Sequence, residues 1–160
     1  MSVTIAGSGQ VPVQVIQTVK TDTYTQNSNT FTNIPGYSVT ITPTSSSNRV
    51  LIMCTLNAVA GNTYNLIGRL IRDSTPIFIG DAAGSRPRGT FQNFWTSNES
   101  TYTISATFLD SPNTTSPVTY NFQVKSGTTL YVNRTIGDRD SSGDYDARMA
   151  SSIIVMEISG

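Results

Sequence analysis

The residues that chemistry would use are few, and several sit in one loop. Asp138, Asp140, Ser142 and Gly143 follow one another as Asp-x-Asp-x-Ser-Gly. That spacing alternates oxygen ligands and then allows a sharp turn, as the opening of a calcium loop does. The match ends there. The closing position, which should supply a bidentate glutamate, is Met149, and the flanks read as strands. No metal site is expected, and the loop reads as solvated or as ion-paired with Arg139 and Arg148. The chain has no histidine, so it lacks the commonest general base and the commonest transition-metal ligand. Without that base its many hydroxyls cannot form a triad. Its glutamates are Glu99 and Glu157 alone, with Glu157 in the last strand-like segment, which leaves little for a paired-carboxylate glycosidase. Cys54 lies inside Val50-Leu51-Ile52-Met53-Cys54 and reads as a small buried hydrophobe rather than a reactive thiol. No cofactor is expected, and the chain reads as a protein that binds rather than one that catalyses.

The binding chemistry on offer is arginine and aromatic. Arginines heavily outnumber lysines, and the planar guanidinium meets carboxylates bidentately, which suits interface ion pairs. Arg69, Arg72, Arg86, Arg88, Arg134 and Arg148, with Asp81 and Asp138, are the candidates for a subunit or partner interface; plain surface solvation is the other reading. Val3, Ile5 and Val11 are apolar candidates for the same role. Phe91, Phe94, Trp95 and Tyr102 follow Arg86-Pro87-Arg88. Such a cluster is core, subunit interface, or an exposed platform on which a sugar ring stacks. Three acceptor patterns for N-glycosylation, at Asn98, Asn113 and Asn133, are discounted as chance in so Asn- and Thr-rich a chain.

Ten basic and ten acidic residues cancel, so there is no electrostatic footprint for nucleic acid or for an anionic membrane. The first residues carry no basic region and no long apolar run, so synthesis in a cytoplasm is expected. Charged residues make up only 12% and hydrophobic residues 37% of the chain, both low for a globular domain. Thr, Ser and Asn fill the difference, and β-branched Thr favours strands. At 160 residues the chain is about one domain long. A modest core is an argument for association between copies.

The elements that must position these residues are strands. Period-2 alternation runs through residues 13–20, 37–42, 101–109, 118–125 and 151–158. Residues 49–60 are the most apolar and read as the central core strand. Ile34-Pro35-Gly36 reads as a turn, Gly68 as a kink in the strand over 64–72, and Ile77-Phe78-Ile79 as the return strand of a hairpin. Leu130–Arg134 reads as a strand and 136–148 as a charged loop. About nine strands, with no convincing helix, read as an all-β antiparallel sandwich. The domain is residues 13–160, preceded by an extended N-terminal arm over 1–12. The first and last strands are both strongly apolar, and in a jelly roll they lie side by side.

Several runs carry a resemblance: Gln14 to Asp22, Ser38 to Pro43, Ile79 to Arg86, Phe108 to Pro112, Tyr131 to Arg134 and Val155 to Ile158. With them the chain, from about Val13, resembles small jelly-roll-like β-sandwich proteins and domains of tailed bacteriophages. The resemblance implies a virion structural protein, plausibly trimeric, and brings no catalytic residues. A chain of one domain, with neither shaft nor attachment domain, points to a capsid decoration or cement protein whose partners are its own copies and the major capsid or another virion protein. The alternative is a tail-fibre or receptor-binding domain that recognises host surface glycans.

Overall fold

A computed structural model describes residues 12–61, 64–94, 100–143 and 145–160. The strands are β1 (Gln14–Lys20), β2 (Tyr24–Gln26), β3 (Thr32–Ile41), β4 (Arg49–Ala60), β5 (Asn65–Arg72), β6 (Thr75–Ile77), β7 (Phe91–Phe94), β8 (Tyr102–Asp110), β9 (Val118–Ser126), β10 (Leu130–Val132) and β11 (Ser151–Ile158). They form two antiparallel sheets that pack face to face as a β-sandwich. The N-terminal arm expected over 1–12 falls almost wholly outside the described residues.

The pairing registers reduce each sheet to four columns. In the first, β4 pairs along one edge with β8 and along the other with both β11 and β10: Thr55 faces Ser152 and Ala58 faces Val132. β10 and β11 are therefore collinear parts of one column, interrupted between Asn133 and Ala150. β1 and β2 form the next column, against β11 and β10 respectively. In the second sheet the order is β3, β9, β5, and β6 and β7 share the far edge of β5, against Leu70–Arg72 and Asn65–Gly68. That column is interrupted too, between Phe78 and Thr90. The column orders are thus β1–β11–β4–β8 and β3–β9–β5–β6/β7. First and last described strands are neighbours, as their shared apolarity predicts.

Alternation builds the core. Ile52, Cys54 and Leu56 of β4, Ile153 and Val155 of β11 and Ile104 of β8 face inward, against Val39, Ile41, Tyr120, Phe122, Val124, Leu66 and Leu70 of the second sheet. Tyr37 is fully buried, and its Oη lies 2.9 Å from the carbonyl oxygens of both Thr55 and Ser152, tying β3 to the opposite sheet.

Three local expectations are corrected. Ile34-Pro35-Gly36 does not separate strands: it lies in a bulge within β3, where the register jumps from Asn33 to Ser38, and Gly36 takes the left-handed φ of 71° that the bulge needs. Gly68 does not mark a kink. A Cβ there would lie 2.1 Å from Cζ of Phe91, so the missing side chain makes room for that ring. The strand after the Asp73–Ser74 turn stops at Ile77, because Phe78 has a left-handed φ of 51° and leaves the sheet.

Where columns break, side chains close the gap. Asn133, fully buried and left-handed at φ 59°, receives the chain as it leaves β10. Its Nδ2 donates to the carbonyls of Lys20 at 2.8 Å and Asp22 at 3.0 Å, the gap between β1 and β2. Its Oδ1 accepts from Ser151 Oγ at 2.6 Å, and that hydroxyl accepts from the Asn57 amide at 3.0 Å. Asn57 Nδ2 donates to Ala150 O, and Thr103 Oγ1 donates to Asn57 Oδ1. All four columns of the first sheet are joined by this one polar row. In the second sheet Thr90 plays the same part: Leu70 N donates to its Oγ1, which donates to Phe78 O, both at 2.9 Å.

Removing such a plug strands buried backbone groups, at about 1–3 kcal/mol each. Asn133→Ala is expected to cost on the order of 4 kcal/mol, because two carbonyls and the Ser151 hydroxyl lose their partner and alanine tolerates the left-handed backbone poorly. Thr90→Val, nearly isosteric, is expected to cost about 2 kcal/mol. Urea denaturation of the two variants beside the parent chain checks both values.

Candidate interaction surfaces

Most of the charged candidates lie on the two excursions that leave interrupted columns. The second, Arg134 to Ala150, is tied together by ion pairs. Arg134 and Arg148 both reach Asp138, the latter at 2.8 Å, and Arg139 reaches Asp146. Asp146 also accepts from the Thr135 hydroxyl, and these two contacts, Thr135 first, hold its carboxyl below the usual range. Arg134 lies over the Tyr131 ring at 4.5 Å and Arg139 over Tyr145 at 4.7 Å. Asp138 and Asp146 adopt left-handed φ values of 48° and 66°. Asp138, the first residue of the Asp-x-Asp opening, thus serves arginines. Among the described residues no group of three or more acidic, histidine or cysteine side chains is placed to hold a metal.

The first excursion, 78–90, is held by backbone instead. Arg86 Nη1 donates to Ala83 O at 3.2 Å and Arg88 Nε to Gly80 O at 2.6 Å, and Gly80 N donates to Gly89 O. Asp81, Arg86 and Arg88 are exposed and line an open depression of about 370 Å³, with no ion pair among the described residues. Phe78, at the foot of this excursion, stacks on Phe108 of β8 with ring centroids 4.8 Å apart, bridging the open edge of the sandwich.

The remaining arginines are spent inside the chain. Arg72 Nη1 lies 3.0 Å from both oxygens of buried Asp110, which also accepts from Tyr120 Oη at 2.8 Å. Arg69 lies 4.0 Å above the Phe31 ring and donates to Gln123 Oε1. Val3, Ile5, Val11 and Trp95 lie outside the described residues.

The aromatic candidates separate. Phe91 belongs to the packing: it covers Gly68 and stacks on Phe122 at 5.7 Å. Phe94 is 49% exposed, and Tyr102 Oη donates to its carbonyl at 3.4 Å. Tyr64, 50% exposed, stands beside them at the rim of a shallow cleft with Asn93 and Leu66. Sequence reasoning missed Tyr64; its one signal was an aromatic residue two positions after the Gly61-Asn62 pair.

The most tightly held ionisable group was also missed. Glu157 is fully buried on the inward side of β11. Its oxygens accept from Gln14 Nε2 and Asn48 Nδ2 at 2.6 Å, Thr44 N at 2.7 Å and Thr44 Oγ1 at 2.8 Å. Burial alone would raise its pKa; the bonds from Asn48, Gln14 and Thr44 outweigh that and hold it at about 2. The carboxylate is a structural acceptor that pins the 42–48 loop over one end of the sandwich. Cys54 is buried with Sγ 3.2 Å from Ala106 O, and burial pushes its thiol up to about 11.

No family model matches the chain, and no curated protein matches it in sequence.

The Glu157 geometry sets a pH dependence. Its folded pKa lies below the ordinary 4.5, so its stabilisation is complete above that value and is lost as pH falls through about 2. Glu157→Gln is expected to cost about 3 kcal/mol at neutral pH and to flatten the fall in stability between pH 4.5 and 2. Asp22, lowered by the Lys20 hydrogen bond, and Asp146 supply what slope remains. Denaturation curves of both proteins across that window measure the difference.

Proposed function

We propose that this chain is a structural protein of a phage virion, a trimeric decoration protein that binds the outside of the assembled capsid and stabilises it. The observation that supports this best is the strand order. Columns β1–β11–β4–β8 facing β3–β9–β5–β6/β7, with the first and last described strands adjacent, support reading the sandwich as a double Greek-key jelly roll. The sequence resemblance implies the same fold. Fold alone does not assign a task, so the chemistry of the surface must also fit. It does: buried Asn48, Asp110, Asn133 and Glu157 are committed to hydrogen bonds that hold the fold, and the buried cysteine is not activated. What is left outward is binding surface. Many weak, uncharged contacts repeated over a shell sum to strong net stabilisation.

One observation favours a second reading, a glycan-recognition domain of a tail fibre. Tyr64 and Phe94, each about half exposed, flank a cleft beside the Asn93 amide, and a sugar ring stacks on such a pair.

Particles with and without the protein separate the two. Decoration predicts that particles lacking it release DNA at lower temperature while adsorption to the host is unchanged. Loss of adsorption with unchanged heat stability overturns decoration in favour of the glycan reading.

A further inference from the structure

The outward face of the first sheet is almost free of charge and uncovered where β1, β11 and the strands beside them lie, whereas at its β10 end Asn57 and Val59 are buried and Arg134 lies over the Tyr131 ring. Its outward side chains follow from the registers: Val13, Val15, Gln17 and Val19 on the β1 column; Ser152, Ile154, Met156 and Ile158 on β11; Arg49, Leu51, Met53 and Thr55 on β4; Thr103, Ser105, Thr107 and Leu109 on β8. Among these positions only Arg49, at a corner, is charged. Val15, Met156, Leu51 and Leu109 form one continuous row across four strands, with Ile154 and Met53 in the next. Val13 is 46% exposed, and Val15 and Val19 are each 53% exposed. A sheet face meant for water alternates polar residues outward; here polar hydroxyls form only the rim, on β8 and at Thr55 and Ser152. An apolar centre inside a polar, uncharged rim is the anatomy of a protein interface.

We infer that copies of this chain meet through this face, turned toward their shared symmetry axis. The inference deepens the trimeric reading above and rests on it for self-association alone. Three features favour a second copy as the occupant. A partner must bring an equally uncharged surface, and the same face on another copy is one. Arg49 lies at a corner of the patch, so an arrangement of copies that covers its centre leaves those charges at the rim and buries no like charges together. The size suits a weak contact between copies: at about 4.8 Å per strand and 3.4 Å per residue the face measures on the order of 450 Å² in plan before side-chain relief is counted, so two such faces bury roughly 900 Å², the range of reversible association. The described chain also enters the fold at this face, where Val13 N donates to Glu157 O at 2.9 Å.

Sedimentation equilibrium across micromolar concentrations tests this with the full chain. The parent protein is expected to sediment as a multiple of 17.2 kDa. Met53→Glu combined with Ile154→Glu, at half-buried outward positions, is expected to return it to the single-chain mass with its circular dichroism unchanged. If the double variant fails to fold, Val15→Lys decides alone, because a position 53% exposed accepts a lysine without disturbing the core. Asn33→Lys, exposed on the outer side of the second sheet, is expected to keep the parent mass. A parent protein of single-chain mass throughout overturns both the trimer and this inference. A multimeric parent whose folded face variants keep its mass overturns the face alone. Neither result bears on heat release of DNA from particles, which judges decoration separately.

Discussion

The structure depends on satisfying backbone groups where strands break inside a sheet. A buried amide or carbonyl without a partner costs as much as a lost hydrogen bond, and an interrupted column exposes several at once. Asn133 answers this in the first sheet, carrying two donors and an acceptor into a gap between four columns. Thr90 answers it in the second with one hydroxyl that both accepts and donates. The excess of Asn, Ser and Thr in the composition thus has a mechanical reading. At these breaks short polar side chains stand in for absent backbone.

The same economy governs charge. Asp138 is shared by two arginines, Asp110 by an arginine and a tyrosine, and Glu157 is held by neutral donors only. A buried carboxylate satisfied by amides and hydroxyls needs no counter-ion, and burial then raises its pKa less than the hydrogen bonds lower it. This is how a chain so poor in charge closes the ends of a sandwich. Two of the cations without a carboxylate partner among the described residues, Arg86 and Arg88, stand together in one exposed excursion.

The sandwich and its central strand were legible because alternation is a direct print of one buried face. Residues 49–60, 118–125 and 151–158 gave their strands almost to the residue. The collinearity of β10 with β11 and of β6 with β7 was not legible, because nothing local tells a strand that ends from a strand that is interrupted and resumed. Gly68 misled for a related reason: a glycine that makes room for a distant ring has the same letter as one that bends a strand. Among the candidates, ion pairing of the 136–148 loop with Arg139 and Arg148 was one of two readings and is the one found, but which aspartate meets which arginine follows from a loop geometry that spacing does not encode. Glu157 passed unnoticed because its donors, Gln14, Thr44 and Asn48, are far away in sequence.

Because β10 and β11 continue one line, the segment between them starts and finishes at almost the same point: Met149 N donates to Asn133 O at 3.1 Å. To the sandwich, everything from Arg134 to Met149 is an appendix attached at a single stem. Closing a longer segment over a fixed stem costs only slowly more with length. Selection can therefore lengthen, shorten or rewrite this appendix while the scaffold beneath keeps its hydrogen bonds. The fold offers a socket for sequence variation whose contents evolve separately from its walls.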